Sequence, residues 1–292
     1  MKYGYFPGCS LHSTSMEYNA SFQAVCKKLG VELSEIENWI CCGSTASHAA
    51  PKRLAMALPL MNLVQAQQQG FEKVFTPCAA CFARFKFAQH ELEQNPELRP
   101  DLEGIIGHTL SNNITILHPL ELFGNGLLGM IAQLGNHALE GLKIVCYYGC
   151  LLTRPPKVTN FDDVEDPQSM DRLMSALGAT VLKWGNKTDC CGGSFALSKT
   201  EIVLHLSHEI LEGAKGAGAQ AIVVACPLCQ VNLDTRQAEI EKAYNTQFNI
   251  PIYYFTQLMG VALGVPESEL MLERHLVDSQ TMLERWRHHG ET

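Results

Sequence analysis

The placement of cysteine constrains this chain more than any other feature. Cys9 closes the run Tyr5-Phe6-Pro7-Gly8-Cys9, and Cys150 closes Tyr147-Tyr148-Gly149-Cys150. Cys41-Cys42-Gly43-Ser44 returns as Cys190-Cys191-Gly192-Gly193, and Cys78-Ala79-Ala80-Cys81 as Cys226-Pro227-Leu228-Cys229. Landmarks that recur in one order mark an internal duplication, with modules at 1–140 and 141–292. The second copy is longer between its first two landmarks. That length falls in the turn-forming, charged stretch from Arg154-Pro155-Pro156-Lys157 to Asp166-Pro167. A weaker echo sets Ile114-Thr115-Ile116-Leu117 against Ile252-Tyr253-Tyr254-Phe255.

Between landmarks the pattern alternates helix and strand. Phe22, Val25, Cys26 and Leu29 share one helical face with Gly30 placed to stop it, and Met170, Leu173, Met174 and Leu177 do the same before Gly178. Strand-like segments follow, Val31-Glu32-Leu33 and Thr180 to Trp184. A further helix leads to Lys73 to Thr76, or to Ala221 to Val224, each ending at a C-x-x-C. This predicts an α/β fold of two tandem pseudo-symmetric modules, each a mostly parallel sheet with flanking helices. The cysteines then sit on loops beyond the carboxyl ends of the strands.

Twelve cysteines in 292 residues suit either disulfides or metal. The start, Met1-Lys2-Tyr3-Gly4-Tyr5, shows no apolar leader, and no run approaches the roughly 20 apolar residues that span a bilayer. The expectation is a cytoplasmic chain without direct membrane insertion. In that reducing compartment, thiols at fixed spacing are more often metal ligands than staples. A net charge of −8 opposes nucleic acid as a partner.

Each module offers five thiols: Cys9, Cys41, Cys42, Cys78 and Cys81, then Cys150, Cys190, Cys191, Cys226 and Cys229. A structural zinc takes four ligands in a tetrahedron, and adjacent cysteines tend to point their sulfurs apart. Pentads with an adjacent pair suit several soft metal atoms better, which favours an iron–sulfur cluster. The fifth thiol is then either spare and reactive or part of an expanded, non-cubane cluster. Cys26 and Cys146 lie outside the repeat, in apolar runs, and are read as packing residues.

A cysteine, a Cys-Cys-Gly and a C-x-x-C at these separations resemble the CCG domain found twice in the B-type subunit of heterodisulfide reductase. The likeness covers nearly the whole chain, with Gly43 and Gly192 kept after each pair, although the stretch from Cys191 to Cys226 is slightly short. The resemblance implies that each pentad binds a non-cubane four-iron, four-sulfur (4Fe–4S) cluster. It places the two clusters across the module interface with a disulfide or thiol substrate between them, each supplying one electron. It also implies partners: a small iron–sulfur subunit with two cubane clusters and a flavoprotein subunit. The chain's own lack of a G-x-G-x-x-G after a strand and of a Walker loop agrees with electrons arriving from elsewhere. The reading is a catalytic subunit that reduces or forms a disulfide. The alternatives are an electron-relay or quinone-linked subunit of a succinate or fumarate reductase type, and a zinc-stabilised interaction module.

His12, His48, Lys187, Arg84 and Arg154 stand near the motifs as candidate substrate contacts, each more commonly an ordinary surface residue. The run from Leu272 through Leu276, Leu283 and Trp286 is amphipathic at helical spacing and is expected to dock on the core.

Overall fold

The computed structural model describes residues 2–44, 50–110 and 113–289. Its strands are β1 (Lys2–Tyr5), β2 (Glu32–Glu35), β3 (Lys73–Phe75), β4 (Thr115–Leu117), β5 (Lys143–Tyr147), β6 (Thr180–Val181), β7 (Ala221–Val224) and β8 (Ile252–Tyr254). They form two four-stranded sheets, ordered β2-β1-β3-β4 and β6-β5-β7-β8. Every pairing is parallel. The expected α/β duplication is the architecture observed. Strands in such sheets are buried on both faces and read as continuous apolar runs. Ala221–Val224 is wholly buried in the centre of its sheet, whereas the edge strand Glu32–Glu35 is half exposed.

The helices of two turns or more are α1 (Met16–Lys28), α2 (Lys52–Gln68), α3 (Ala79–Gln94), α4 (Arg99–Ile106), α5 (Leu128–Gly135), α6 (Ser169–Ala176), α7 (Thr200–Gly216), α8 (Pro227–Asp234), α9 (Gln237–Tyr244), α10 (Phe255–Ala262) and α11 (Gln280–His289). On α1 the stripe Tyr18, Phe22, Val25 and Cys26 is buried, and Gly30 at φ +68° ends the helix as its spacing predicts. Gly178, at φ +99°, allows a close approach of the chain at the end of α6: a Cβ there would meet the His137 carbonyl oxygen at 2.7 Å.

The two halves share one continuous hydrophobic core. Helix α1 of the first half packs on α10 of the second, and α3 packs on the turns Cys150–Thr153 and Pro156–Thr159. Tyr18 stacks on Tyr254 with ring centres 4.2 Å apart, and Ser21 Oγ lies 2.7 Å from Thr256 Oγ1. The buried Glu17 accepts from Arg274 Nε at 3.1 Å. The extra stretch of the second copy also reaches across, with Phe161 edge-on to Phe82 and His118 of the first.

Two expectations need correction. The strand expected over Thr180 to Trp184 stops at Val181 with one further bond, Leu182 N to Ile144 O. The chain then turns so that the Trp184 indole donates to the Cys146 carbonyl at 3.0 Å. The C-terminal run is not one helix: Leu272–Arg274 is a single 3-10 turn, Leu276 is 71% exposed, and helix resumes only at Gln280. Leu272 and Leu283 are buried in the core, and the Trp286 indole donates to Glu140 O.

Candidate functional site

In each sheet the winding reverses beside the first strand, between β1 and β3 and between β5 and β7, and the loops there open a crevice at the carboxyl edge. The repeat puts its cysteines on those loops. Cys9 sits on the single turn Gly8–Leu11 after β1, Cys41 and Cys42 follow β2, and Cys78 caps α3 with Cys81 in its first turn. Cys150 begins the turn Cys150–Thr153 after β5, Cys190 and Cys191 follow β6, and Cys226 caps α8 with Cys229 in its first turn. Helix starts carry partial positive charge, which favours thiolate over thiol.

All ten sulfurs fall into one zone. Cys42 Sγ lies 3.1 Å from Cys81 Sγ, and Cys191 Sγ lies 3.7 Å from Cys229 Sγ. Cys9 is near enough to Cys41, and Cys150 to Cys190, for their charges to interact. The two sets also meet: Cys78 and Cys226 lie near enough across the halves for their charges to interact. No cysteine is in a disulfide. Cys26 and Cys146 stand apart, buried by packing as expected. Among the described residues no three His, Cys, Asp or Glu side chains are set around a single metal ion.

Sulfurs this close cannot all ionise together, so their protonation is shared out within each set. The neighbouring thiols Cys41 and Cys81 pull Cys42 down to about 4, and Cys150 takes Cys190 down to about 6. Cys41, Cys81 and Cys150 are pushed up in turn. Cys229 and Cys78 hold Cys226 well below its ordinary value. Backbone amides add to this: Gly43 N donates to Cys41 Sγ at 3.5 Å and Gly192 N to Cys190 Sγ at 3.3 Å.

Two glycines form the floor under the sulfurs. A Cβ on Gly8 would meet Cys81 Sγ at 3.1 Å, and one on Gly149 would meet Cys229 Sγ at 2.8 Å; both residues have positive φ, +67° and +69°. A cavity of about 60 Å³ joins Cys150, Cys190, Cys191, Cys226 and Cys229 to Ala79 of the first C-x-x-C turn. Cys9, Cys41 and Cys190 form the exposed rim, while the C-x-x-C sulfurs are buried. Soft thiolates in two pentads over a glycine floor fit an iron–sulfur group by the chemistry of the donor set.

The candidate contacts have other partners. His12 Nε2 lies 3.3 Å from Glu35 Oε1 and edge-on to Trp39. Lys187 is buried, with Nζ 2.7 Å from both Asp166 Oδ1 and Asp171 Oδ1, and its carbonyl accepts from Tyr148 N and Gly149 N. It braces the loop that carries Cys150. Arg154 bonds Glu165 and Thr188. Arg84 donates to the Ala55 carbonyl and its charge helps hold Cys42 as thiolate. His48 lies outside the described residues.

Three residues near the sulfurs were not read from the sequence. Asn232 Nδ2 donates to Cys191 O at 3.0 Å and reaches its Sγ at 3.5 Å. It occupies the place after Cys229 that Arg84 occupies after Cys81. Tyr18 and His118 lie behind the C-x-x-C turns. His118 is fully buried; desolvation lowers its pKa to about 4, and Leu120 N donates to Nδ1 at 3.3 Å. The proton is therefore on Nε2, 2.9 Å from Pro77 O.

A doubly repeated parallel sheet with free thiols gathered at both switch points defines a duplicated cysteine-rich α/β protein. The chain belongs to the CCG cysteine-rich domain family, whose model matches residues 3–86 and 144–234. It is 28% identical over 285 residues to the 8-methylmenaquinol:fumarate reductase membrane anchor subunit of Wolinella succinogenes, covering 95% of this chain and 98% of that one. It is 26% identical over 292 residues to the B-type subunit of a ferredoxin/F(420)H(2)-dependent CoB-CoM heterodisulfide reductase of Methanosarcina acetivorans, covering 95% and 94%. Both relatives are subunits of oxidoreductase complexes. A crystal structure of a hypothetical protein from Helicobacter pylori shares the fold, with TM-score 0.77 at 12% identity. That match covers 96% of this chain, which spans only 52% of that protein. No described helix is long and apolar enough to cross a membrane.

Proposed function

We propose that this chain is the catalytic subunit of a heterodisulfide reductase-like complex, with the modules at 1–140 and 141–292 each holding one non-cubane 4Fe–4S cluster. Cys9, Cys41, Cys42, Cys78 and Cys81 would hold the first and Cys150, Cys190, Cys191, Cys226 and Cys229 the second. The observation that carries the reading is the meeting of the two pentads, where a cavity joins the second pentad to Ala79 of the first C-x-x-C turn and Cys78 lies near enough to Cys226 for their charges to interact. Bound there, such clusters exchange single electrons.

Reducing R–S–S–R′ to RSH and R′SH takes two electrons and two protons, so paired one-electron centres match the demand. The chain's residues prepare the ground. Gly43 and Gly192 amides and the starts of α3 and α8 favour thiolate at the ligands. Burial of both C-x-x-C turns excludes water from the inner edge, while the rim at Cys9, Cys41 and Cys190 leaves the outer edge open to a substrate and its protons. The electrons would come from a small iron–sulfur subunit with two cubane clusters, itself fed by a flavoprotein subunit.

The test is to add the reduced, anaerobically purified chain to a panel of low-molecular-weight disulfides. The reading predicts thiol release and a paramagnetic signal that depends on the thiol present. An electron-relay or quinone-linked role is the second reading, favoured by the likeness to the Wolinella anchor subunit. It predicts reduction of the chain by a quinol with no thiol product from any disulfide.

A further inference from the structure

The carbonyls of Pro77 and Ala225 precede Cys78 and Cys226, so each closes a strand just before a C-x-x-C turn. Both lie where the halves meet. A buried carbonyl that loses its donor is costly, and two side chains of the first half serve both. His118 Nε2 donates to Pro77 O at 2.9 Å, with Ala225 O also in its reach. Tyr18 Oη lies 3.3 Å from Pro77 O and 3.5 Å from Ala225 O, long arms that make His118 the stronger of the pair. Tyr18 is near enough to feel the charge of both Cys78 and Cys226.

The surroundings hold these donors still. Tyr18 is stacked flat on Tyr254, His118 is set edge-on to Phe82 and Phe161, and both are fully buried. The two copies differ here. Phe75 pairs with Leu117 and its equivalent Val223 with Tyr253, so the second-copy counterpart of His118 is Tyr254, which caps the next helix as His118 does but is stacked on Tyr18.

We propose that Tyr18 and His118 are positioning residues that clamp the two C-x-x-C turns together and fix the separation of the two pentads. Neither touches a substrate in this role. The inference deepens the proposed function, because a fixed separation is what lets two one-electron centres act on one bond.

The test uses the full-length chain after chelation of its metal, so that the thiols can be read directly. Dibromobimane joins neighbouring thiols, and peptide mapping separates the Cys78–Cys226 link between halves from the Cys42–Cys81 link within one. The clamp predicts that wild type forms both. In Tyr18→Phe and His118→Phe together, the link between halves forms roughly fivefold more slowly, the effect of losing about one net hydrogen bond, while the internal link keeps its rate. Tyr18→Phe alone, which removes only the long arms, gives a smaller effect in the same direction, and His118→Gln, which keeps a donor, restores most of the rate. Unchanged Cys78–Cys226 linking in the double variant overturns the proposal, as does equal slowing of both links, which is what general loosening gives. Absence of the link in wild type also overturns it. Iron counts on the untreated wild type are independent of this outcome: a chain without iron sinks the proposed function and leaves the clamp to stand or fall on its links.

Discussion

At the scale of single residues, what surrounds a sulfur matters more than the sulfur itself. Gly149 has no room for a side chain, because a Cβ would stand 2.8 Å from Cys229 Sγ, and its positive φ costs an L-residue about 1–2 kcal/mol. Gly149→Ala is expected to strip iron from the second pentad, and Gly8→Ala, with 3.1 Å available, to lower it less in the first. Metal analysis of both variants beside wild type checks this. Arg84 and Asn232 hold equivalent places after the two C-x-x-C motifs, one charged and one neutral. A cation beside Cys42 favours the more negative, reduced state, so the first centre should be the easier to reduce. Arg84→Gln is expected to lower its midpoint by about 60 mV, the shift of a tenfold change in a one-electron equilibrium. Asn232→Arg should raise that of the second. Potentiometric titration followed by paramagnetic resonance reads both.

Among the elements, the alternation of helix and strand was legible because local forces decide it. The apolar stripe on α1, the stop at Gly30 and the β-branched run of β7 each act within a few residues. What escaped depends on contacts between distant segments. The strand after Gly178 was read too long because nothing local says that Trp184 must turn inward to Cys146. The C-terminal run looked helical because Leu272 and Leu283 are apolar, yet the segment between them is anchored by Asp234, which accepts from Leu276 N and Val277 N. The same segment is held by His275, bonded to Gln230 and Gln257 and kept neutral by burial, with its pKa lowered to about 4 from 6.5. A histidine lowered this way stabilises the fold above pH 6.5 and loses that contribution as pH falls toward 4. About 2 kcal/mol should be gone by pH 5. His275→Gln, which keeps amide donors but does not titrate, is expected to show a smaller loss of stability between pH 7 and pH 5 in denaturant titrations. An identical loss in both proteins would remove His275 from the account.

For the molecule as a whole, duplication explains why ten cysteines at two sets of loops meet in one zone. The motif spacing made the two pentads legible, and the parallel sheets with switch points beside β1 and β5 account for their convergence. The junction between pentads was not legible, since Tyr18 reads as one more residue of a helical stripe and His118 as a loop residue. The one available signal was a break in the repeat, a histidine where the second copy has Tyr254. The halves are joined by a single core rather than by a linker, so the sulfur zone is expected to form only in the intact chain. The central claim is that this zone holds two multi-iron clusters. Anaerobic purification with iron and acid-labile sulfide analysis tests it most directly: the account predicts about eight of each per chain. Zinc without sulfide, or a metal-free chain in which the pentads have oxidised to disulfides, would contradict it.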